Sequence, residues 1–244
     1  MNAISRTEFL RRLLAGTLLL PGFAALGGAL DSLRGDHVGW ARLKTVEPDW
    51  RRHAGGDPTL MQFLRNQTTL NIDPQWQSAD MHVLDEMLQY PLLFSQGIHV
   101  VIEPPARANV AEYIRRGGFL LVDACCNRGV TPDFDVFLQQ HKDFFAAELP
   151  EAKVVTLPPE HEVYRCFFPI PDGHPPHTYF NNIFDPNKYR HGLYGVMIGQ
   201  RMAGLVSLSG LQCGWDRMTA PPGHDTACMR MLVNIYIYAM TQGG

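Results

Sequence analysis

Beyond its first 12 residues, no part of this 244-residue sequence concentrates positive charge. Lysine and arginine together number 21 against 24 acidic residues, a formal net charge of −3. The basic residues are scattered, in short pairs such as Arg11-Arg12, Arg51-Arg52 and Arg115-Arg116. Without a basic field nothing attracts a phosphate backbone, so nucleic acid is set aside as a partner. Cysteine is sparse: the five show no repeated spacing that would suggest a disulfide framework or a paired CxxC zinc site. Five is also odd, so in an exported protein at least one thiol stays free or pairs between chains. A Gly-rich phosphate cradle, a GxSxG elbow, an HExxH helix and an EF-hand loop are all missing. So are internal repeats and low-complexity tracts. After the first 30 residues no apolar run is long enough to span a bilayer, which confines membrane contact to the N-terminal segment.

What is present is an ordinary globular composition, 45% hydrophobic and 18% charged, enough for a core of normal size. Eleven of the 18 prolines fall in the second half, which predicts long, shaped loops there. The first 30 residues have their own pattern. A cationic stretch, Ser5 to Arg12, precedes the apolar run Leu13 to Leu20, then Pro21-Gly22 and small residues. This is the layout of an export signal or an N-terminal membrane anchor. It resembles a twin-arginine signal in which Thr7 stands at the second arginine's place, and Arg11-Arg12 serves a general secretory signal equally well. The expectation is a protein exported to the periplasm or anchored to the inner membrane.

From residue 37 to 241 the sequence reads as one α/β domain. His37 to Val46 alternates like a first strand, and Pro58 opens a helix with Leu60, Phe63 and Leu64 on one face. Thr68 to Ile72 is a short strand candidate, Met81 to Leu88 a short helix or turn, and Tyr90 to Ser95 an apolar strand. Pro104 to Arg116 has helical spacing and stops at Gly117-Gly118. Phe119 to Val122 has no polar face, as a central parallel strand requires. Pro132 to Ala147 reads as a helix and Lys153 to Leu157 as a strand. Residues 158–192 form an irregular excursion. Leu193 to Ile198 and Met202 to Leu208 form a late hairpin, and Asp225 to Met240 a closing helix. Alternating strands and helices of these lengths predict an open, doubly wound, mostly parallel sheet with helices on both faces.

Several segments together carry a resemblance. Gly117-Gly118-Phe119-Leu120-Leu121-Val122-Asp123, Leu157-Pro158-Pro159-Glu160-His161, Leu193-Tyr194-Gly195-Val196 and Val233-Asn234-Ile235-Tyr236-Ile237-Tyr238-Ala239 look like the bacterial family called domain of unknown function 4159. His37 to Leu43 and Tyr90-Pro91-Leu92-Leu93 fit the same pattern. The resemblance implies a flavodoxin-like sheet, similar to class I glutamine-amidotransferase-like domains. It implies a place in the cell envelope, with envelope ATPase or von Willebrand-type modules as partner proteins. It implies no reaction and no cofactor.

Candidate site residues follow from the sheet. Ligands of open α/β sheets bind beyond the carboxyl ends of strands, and Asp123-Ala124-Cys125-Cys126-Asn127 follows the central one. Cys125 or Cys126 would be a thiol nucleophile with His161 as base, an arrangement similar to the amidotransferase elbow. No glycine precedes the cysteines to relax such an elbow, and the alternative is a pair of small buried hydrophobes. Asp123, ending an apolar strand, needs either a backbone to cap or a ligand. Asp123, Asn127, Trp215 and Asp216 are the candidate ligand-binding residues, and Gly210 to Asp216 follows a hairpin strand toward the same edge. No metal ligand is assigned. His174, His177, His191 and His224 read as surface histidines. Three functions remain: a non-catalytic binding or assembly module of the envelope, a cysteine-dependent hydrolase or transferase, and a metal-dependent hydrolase drawing on Asp123, His161 and Cys213.

Overall fold

Strands buried on both sides set the plan of the molecule. In the computed structural model, which describes residues 38–46, 49–125, 134–170, 173, 175–176, 192–216 and 222–242, every residue of β4 (Phe119–Asp123) is buried. Its side chains alternate between two cores, Phe119 and Leu121 on one face, Leu120 and Val122 on the other. β3 (Leu92–Ser95) and β7 (Arg201–Ser207) repeat the alternation: Leu92, Phe94, Met202 and Leu205 face the first core, Leu93, Ala203 and Val206 the second. With β1 (Ala41–Lys44), β2 (Gln77–Asp80), β5 (Ala152–Thr156) and β6 (Tyr194–Ile198) these form a seven-stranded sheet in the order β2-β1-β3-β4-β7-β6-β5. The first five strands of that order are parallel. β6 and β5 close one edge as antiparallel partners.

Helices cover both faces, as a doubly wound sheet requires. The first core is roofed by α1 (Asp57–Gln67), α5 (Leu211–Trp215) and α6 (His224–Gln242), through residues such as Leu60, Leu64, Leu211 and Leu232. The second is roofed by α2 (Leu84–Met87), α3 (Pro104–Arg115) and α4 (Phe134–Glu148), through Met87, Val110, Ile114 and Phe145. The local signals act as expected. Proline stands in the first turn of α1 and of α3. α3 ends on Gly117 at φ 96°, where the Gly117 and Gly118 amides donate to the carbonyls of Ile114 and Tyr113. That is the Schellman closure, which needs a residue free to enter the left-handed region.

The departures from expectation lie at the rim. Thr68 to Ile72 contributes one bridge, Val38 with Ile72, rather than a strand. β2 escaped the sequence reading because an edge strand reading Gln-Ser-Ala-Asp buries only Ala79 and so carries no apolar alternation. α5 is a short helix where only a loop was expected. The expected signal or anchor, residues 1–30, lies outside the described residues. Among the described residues no helix is long and apolar enough to cross a membrane.

One buried histidine joins the layers of the second core. His141 of α4 donates from Nδ1 to the Phe137 carbonyl at 2.7 Å, and its Nε2 accepts the Ile98 amide at 3.1 Å. Both nitrogens are used in the neutral form, and protonation would abolish the second bond. Burial accordingly pushes the imidazole down to about 3. The unfolded ring takes a proton near pH 6.5 and the folded one does not, so this group stabilises the fold at neutral pH and that contribution fades as pH falls. Between pH 7 and 4.5 the native protein should lose about 2–3 kcal/mol more than His141→Leu in urea unfolding. Parallel pH profiles for the two proteins would refute this role.

Candidate functional site

The site begins with an arginine in the middle of the sheet. Arg42 of β1 is 1% exposed, and an unpaired guanidinium there would be untenable. Its Nε and Nη2 donate to the two oxygens of Asp57 at 2.6 and 2.7 Å. The indoles of Trp40 and Trp215 donate to the same carboxylate at 2.9 and 3.3 Å. The remaining nitrogen, Nη1, donates to the carbonyls of Trp50 at 3.2 Å and Arg52 at 3.1 Å. Arg42 thereby ties the loop after β1 to the carboxyl end of the sheet at several points.

The Arg52 carbonyl is held further by two buried amides, Gln96 Nε2 at 2.9 Å and Gln212 Nε2 at 2.7 Å. The next residue, His53, is the one non-glycine with positive φ among the described residues, at φ 58°, ψ 17°. A side-chain residue sits in that region only where its surroundings hold it. Gly56 permits the same approach from the other side: a Cβ there would stand 2.7 Å from the Asp216 Cα.

Held in this way, the His53 ring meets three groups. Nδ1 bonds Asp216 Oδ2 at 2.9 Å, and Nε2 lies 3.5 Å from Cys125 Sγ. Cys125 Sγ lies 3.8 Å from Cys213 Sγ, and the ligand atoms of His53, Cys125 and Cys213 are all within 4.8 Å of one another. Both cysteines are thiols and both are buried, while the His53 and Asp216 side chains keep 12% and 21% of their surface in solvent. The hydrogen bond with Cys125 raises the His53 imidazole above its ordinary range, opposed by partial burial and aided by Asp216. With Asp216 accepting from Nδ1, the lone pair of Nε2 faces the sulfurs. The pieces come from the ends of β1, β4 and β7, with Gln96 at the end of β3, so four parallel strands converge on one place.

That convergence is where an open α/β sheet carries its ligands. The family model described as domain of unknown function DUF4159 matches residues 40–240. The chain belongs to the DUF4159 family. A comparison with curated proteins finds no match.

In this DUF4159 chain the residues singled out from sequence fall into three groups. Cys125, Cys213 and Asp216 are brought together. Asp123 and Trp215 lie beside them in supporting roles. Asp123 Oδ2 accepts the Gln212 amide at 2.9 Å and so caps α5. Burial raises its carboxyl to about 6, offset in part by the amides at the start of α5. Trp215 is fully buried against Trp40 and Phe94 and works as packing under the loop. His161 is elsewhere: its Nδ1 accepts the Val163 amide at 3.2 Å, its ring lies 5.4 Å from that of Tyr238, and no described contact joins it to Cys125. The base facing Cys125 is His53 instead. Cys126 and Asn127 lie outside the described residues, as do His174, His177 and His191. His224 is half-buried against Cys228, 3.3 Å away, rather than a surface histidine.

Sequence reasoning missed His53, Gln96 and Gln212. His53 stands in a loop after the first strand, before Ala54-Gly55-Gly56, and its partners lie 72 and 163 residues away. The available signal was topological, because that loop leaves the carboxyl end of a parallel strand. Asp57→Ala tests the frame. It leaves the Arg42 charge buried without its partner, and urea unfolding should show a loss of about 3–5 kcal/mol. A loss below about 1 kcal/mol would mean that the pair does not hold the loop.

Proposed function

We propose that the protein is a metal-dependent hydrolase with one zinc-type ion held by Cys125 Sγ, Cys213 Sγ and His53 Nε2. The observation that carries this reading is a pair of distances. With Zn–S about 2.3 Å and Zn–N about 2.0–2.1 Å, tetrahedral angles put two sulfurs about 3.8 Å apart and sulfur and nitrogen about 3.5 Å apart. Cys125 and Cys213 are separated by 3.8 Å, and Cys125 and His53 by 3.5 Å. A thiol and an imidazole brought together as nucleophile and base have no need of a second sulfur at that edge length. The Asp216 carboxylate behind Nδ1 supports the same reading, since a metal-bound histidine commonly donates its other N–H to a carboxylate.

Cys125, Cys213 and His53 would hold the ion with three protein ligands, and the chemistry it would supply is activation of water near neutral pH. Asp216 fixes the tautomer and ring orientation of His53. The thiols lie inside, and the His53 and Asp216 edge meets solvent, so substrate would approach over the imidazole. The cationic and then apolar pattern of Ser5 to Leu20 supports a location in the periplasm or at the inner membrane for this chemistry. Envelope ATPase or von Willebrand-type proteins are the partners this reading would take.

A second reading rests on the burial of both sulfurs. If the protein itself fills the fourth position, the ion is structural and the chain is a binding or assembly module. Freshly purified protein, assayed by plasma mass spectrometry, should carry one equivalent of metal, and His53→Ala and Cys213→Ala should not. Hydrolysis of a panel of carboxylic and phosphoric esters should fall with a chelator and return with zinc. No stoichiometric metal, even after zinc is added, would sink the proposal. Bound metal without hydrolysis, in a cobalt form whose spectrum ignores added thiocyanate, would select the assembly reading.

A further inference from the structure

Two buried amide side chains are spent on a single carbonyl next to the centre. Gln96 and Gln212 are 8% and 0% exposed, and both aim Nε2 at the Arg52 oxygen, at 2.9 and 2.7 Å. Arg42 Nη1 is a third donor to the same oxygen at 3.1 Å, although a carbonyl has two lone pairs. Gln96 Nε2 also donates to Gln212 Oε1. Meanwhile Gln96 Oε1 has no hydrogen-bond partner among the described residues, an uncommon state for a buried amide. The orientation of Gln96 therefore serves Arg52 in preference to its own oxygen.

The position of this carbonyl explains such crowding. It precedes the one described non-glycine residue with positive φ, His53. Fixing the Arg52 carbonyl fixes the peptide plane from which the strained His53 backbone departs, and so the direction of the ring. Gln212 also adjoins Cys213, and its own amide is bonded to Asp123. One side chain thus links the segment carrying His53 to the segment carrying Cys213, while Gln96 anchors the same carbonyl to the end of β3.

We infer that Gln96 and Gln212 are positioning residues that hold the His53 imidazole against Cys125 and Cys213 before any ion arrives. The inference rests on the metal-centre reading for its consequence in affinity, but the ring orientation can be read without metal. Outer partners of ligands typically contribute 10–100-fold in metal affinity. Gln212→Met and Gln96→Met keep length and lose the donor. Each should bind Co(II) 10–100-fold more weakly than the native chain, with a changed visible spectrum. In metal-free protein, a histidine side-chain nitrogen NMR spectrum should show the His53 Nδ1–H protected by Asp216, and this signal should be lost or exchange-broadened in the variants. The melting temperature of each metal-free variant separates misfolding from misplacement, and whichever variant melts with the native chain decides. Native affinity together with a native His53 signal would overturn the inference. If the native chain takes no cobalt, the metal reading fails, and the NMR comparison alone decides the positioning role: a protected His53 signal surviving in the variants overturns it.

Discussion

Burying the Arg42 guanidinium with the Asp57 carboxylate takes two charges out of water, at several kcal/mol for each ion. Their bidentate contact, at 2.6 and 2.7 Å, returns much of that, and two indole donors complete the carboxylate. An apolar pair of similar volume could match this stability. It could not supply what the guanidinium gives with its remaining nitrogen, donors to the carbonyls of Trp50 and Arg52. The ion pair is better understood as a fixture for the loop after β1 than as a contribution to the core. Trp215 packs edge to face on Trp40 and Phe94, which lie tilted against each other, and the three rings keep the pair dry and its geometry narrow.

The loop so fixed turns a generic property of the fold into a particular site. A doubly wound sheet delivers several loops to its carboxyl edge, but their tips are free to diverge. Here the divergence is removed by side chains that bridge the loops. Arg42 joins β1 to the residues before His53. Gln96 brings in the end of β3. Asp123 caps α5, which carries Cys213, from the end of β4. The glycine at 56 lets the start of α1 lie against Asp216. His53 in its left-handed conformation stores strain, and this bracing is what holds the strain in place.

The sheet was legible in the sequence to the extent that burial writes a pattern. Phe119 to Val122 announced a strand covered on both faces, Gly117-Gly118 the end of α3, and the Leu193–Leu208 hairpin the antiparallel edge. Where burial is one-sided or slight, as in β2 with its single buried Ala79, no pattern exists to read. The site was legible only by position after a strand. Cys125, Cys213 and Asp216 could be picked out because each follows an apolar run. His53 follows one too, but a polar loop of arginines, glycines and histidine reads as a solvated connection. Nothing local records that its partners are far along the chain, and the histidine beside Pro158-Pro159 attracted the role instead. A resemblance to the amidotransferase elbow, with its downstream histidine, reinforced that choice. In this chain the histidine precedes the cysteine.

The same geometry bears on why the two sulfurs lie together at all. The two sulfurs, 3.8 Å apart, are not joined as a disulfide, whose bond is about 2.05 Å, and stand at ordinary van der Waals contact. A thiol is a weak donor and a weak acceptor, so the contact contributes little by itself. An ion between them would change the account, because it would require both sulfurs near this spacing and a nitrogen at the shorter one. It would also join three chain segments that covalent structure leaves far apart, so that binding becomes part of folding. The bracing by Arg42, Gln96 and Gln212 bears on how much of that coupling is spent in advance. A ring already held by Asp216 and a loop already clamped at Arg52 would leave less ordering to be done if an ion were bound there, and the saving would appear as affinity.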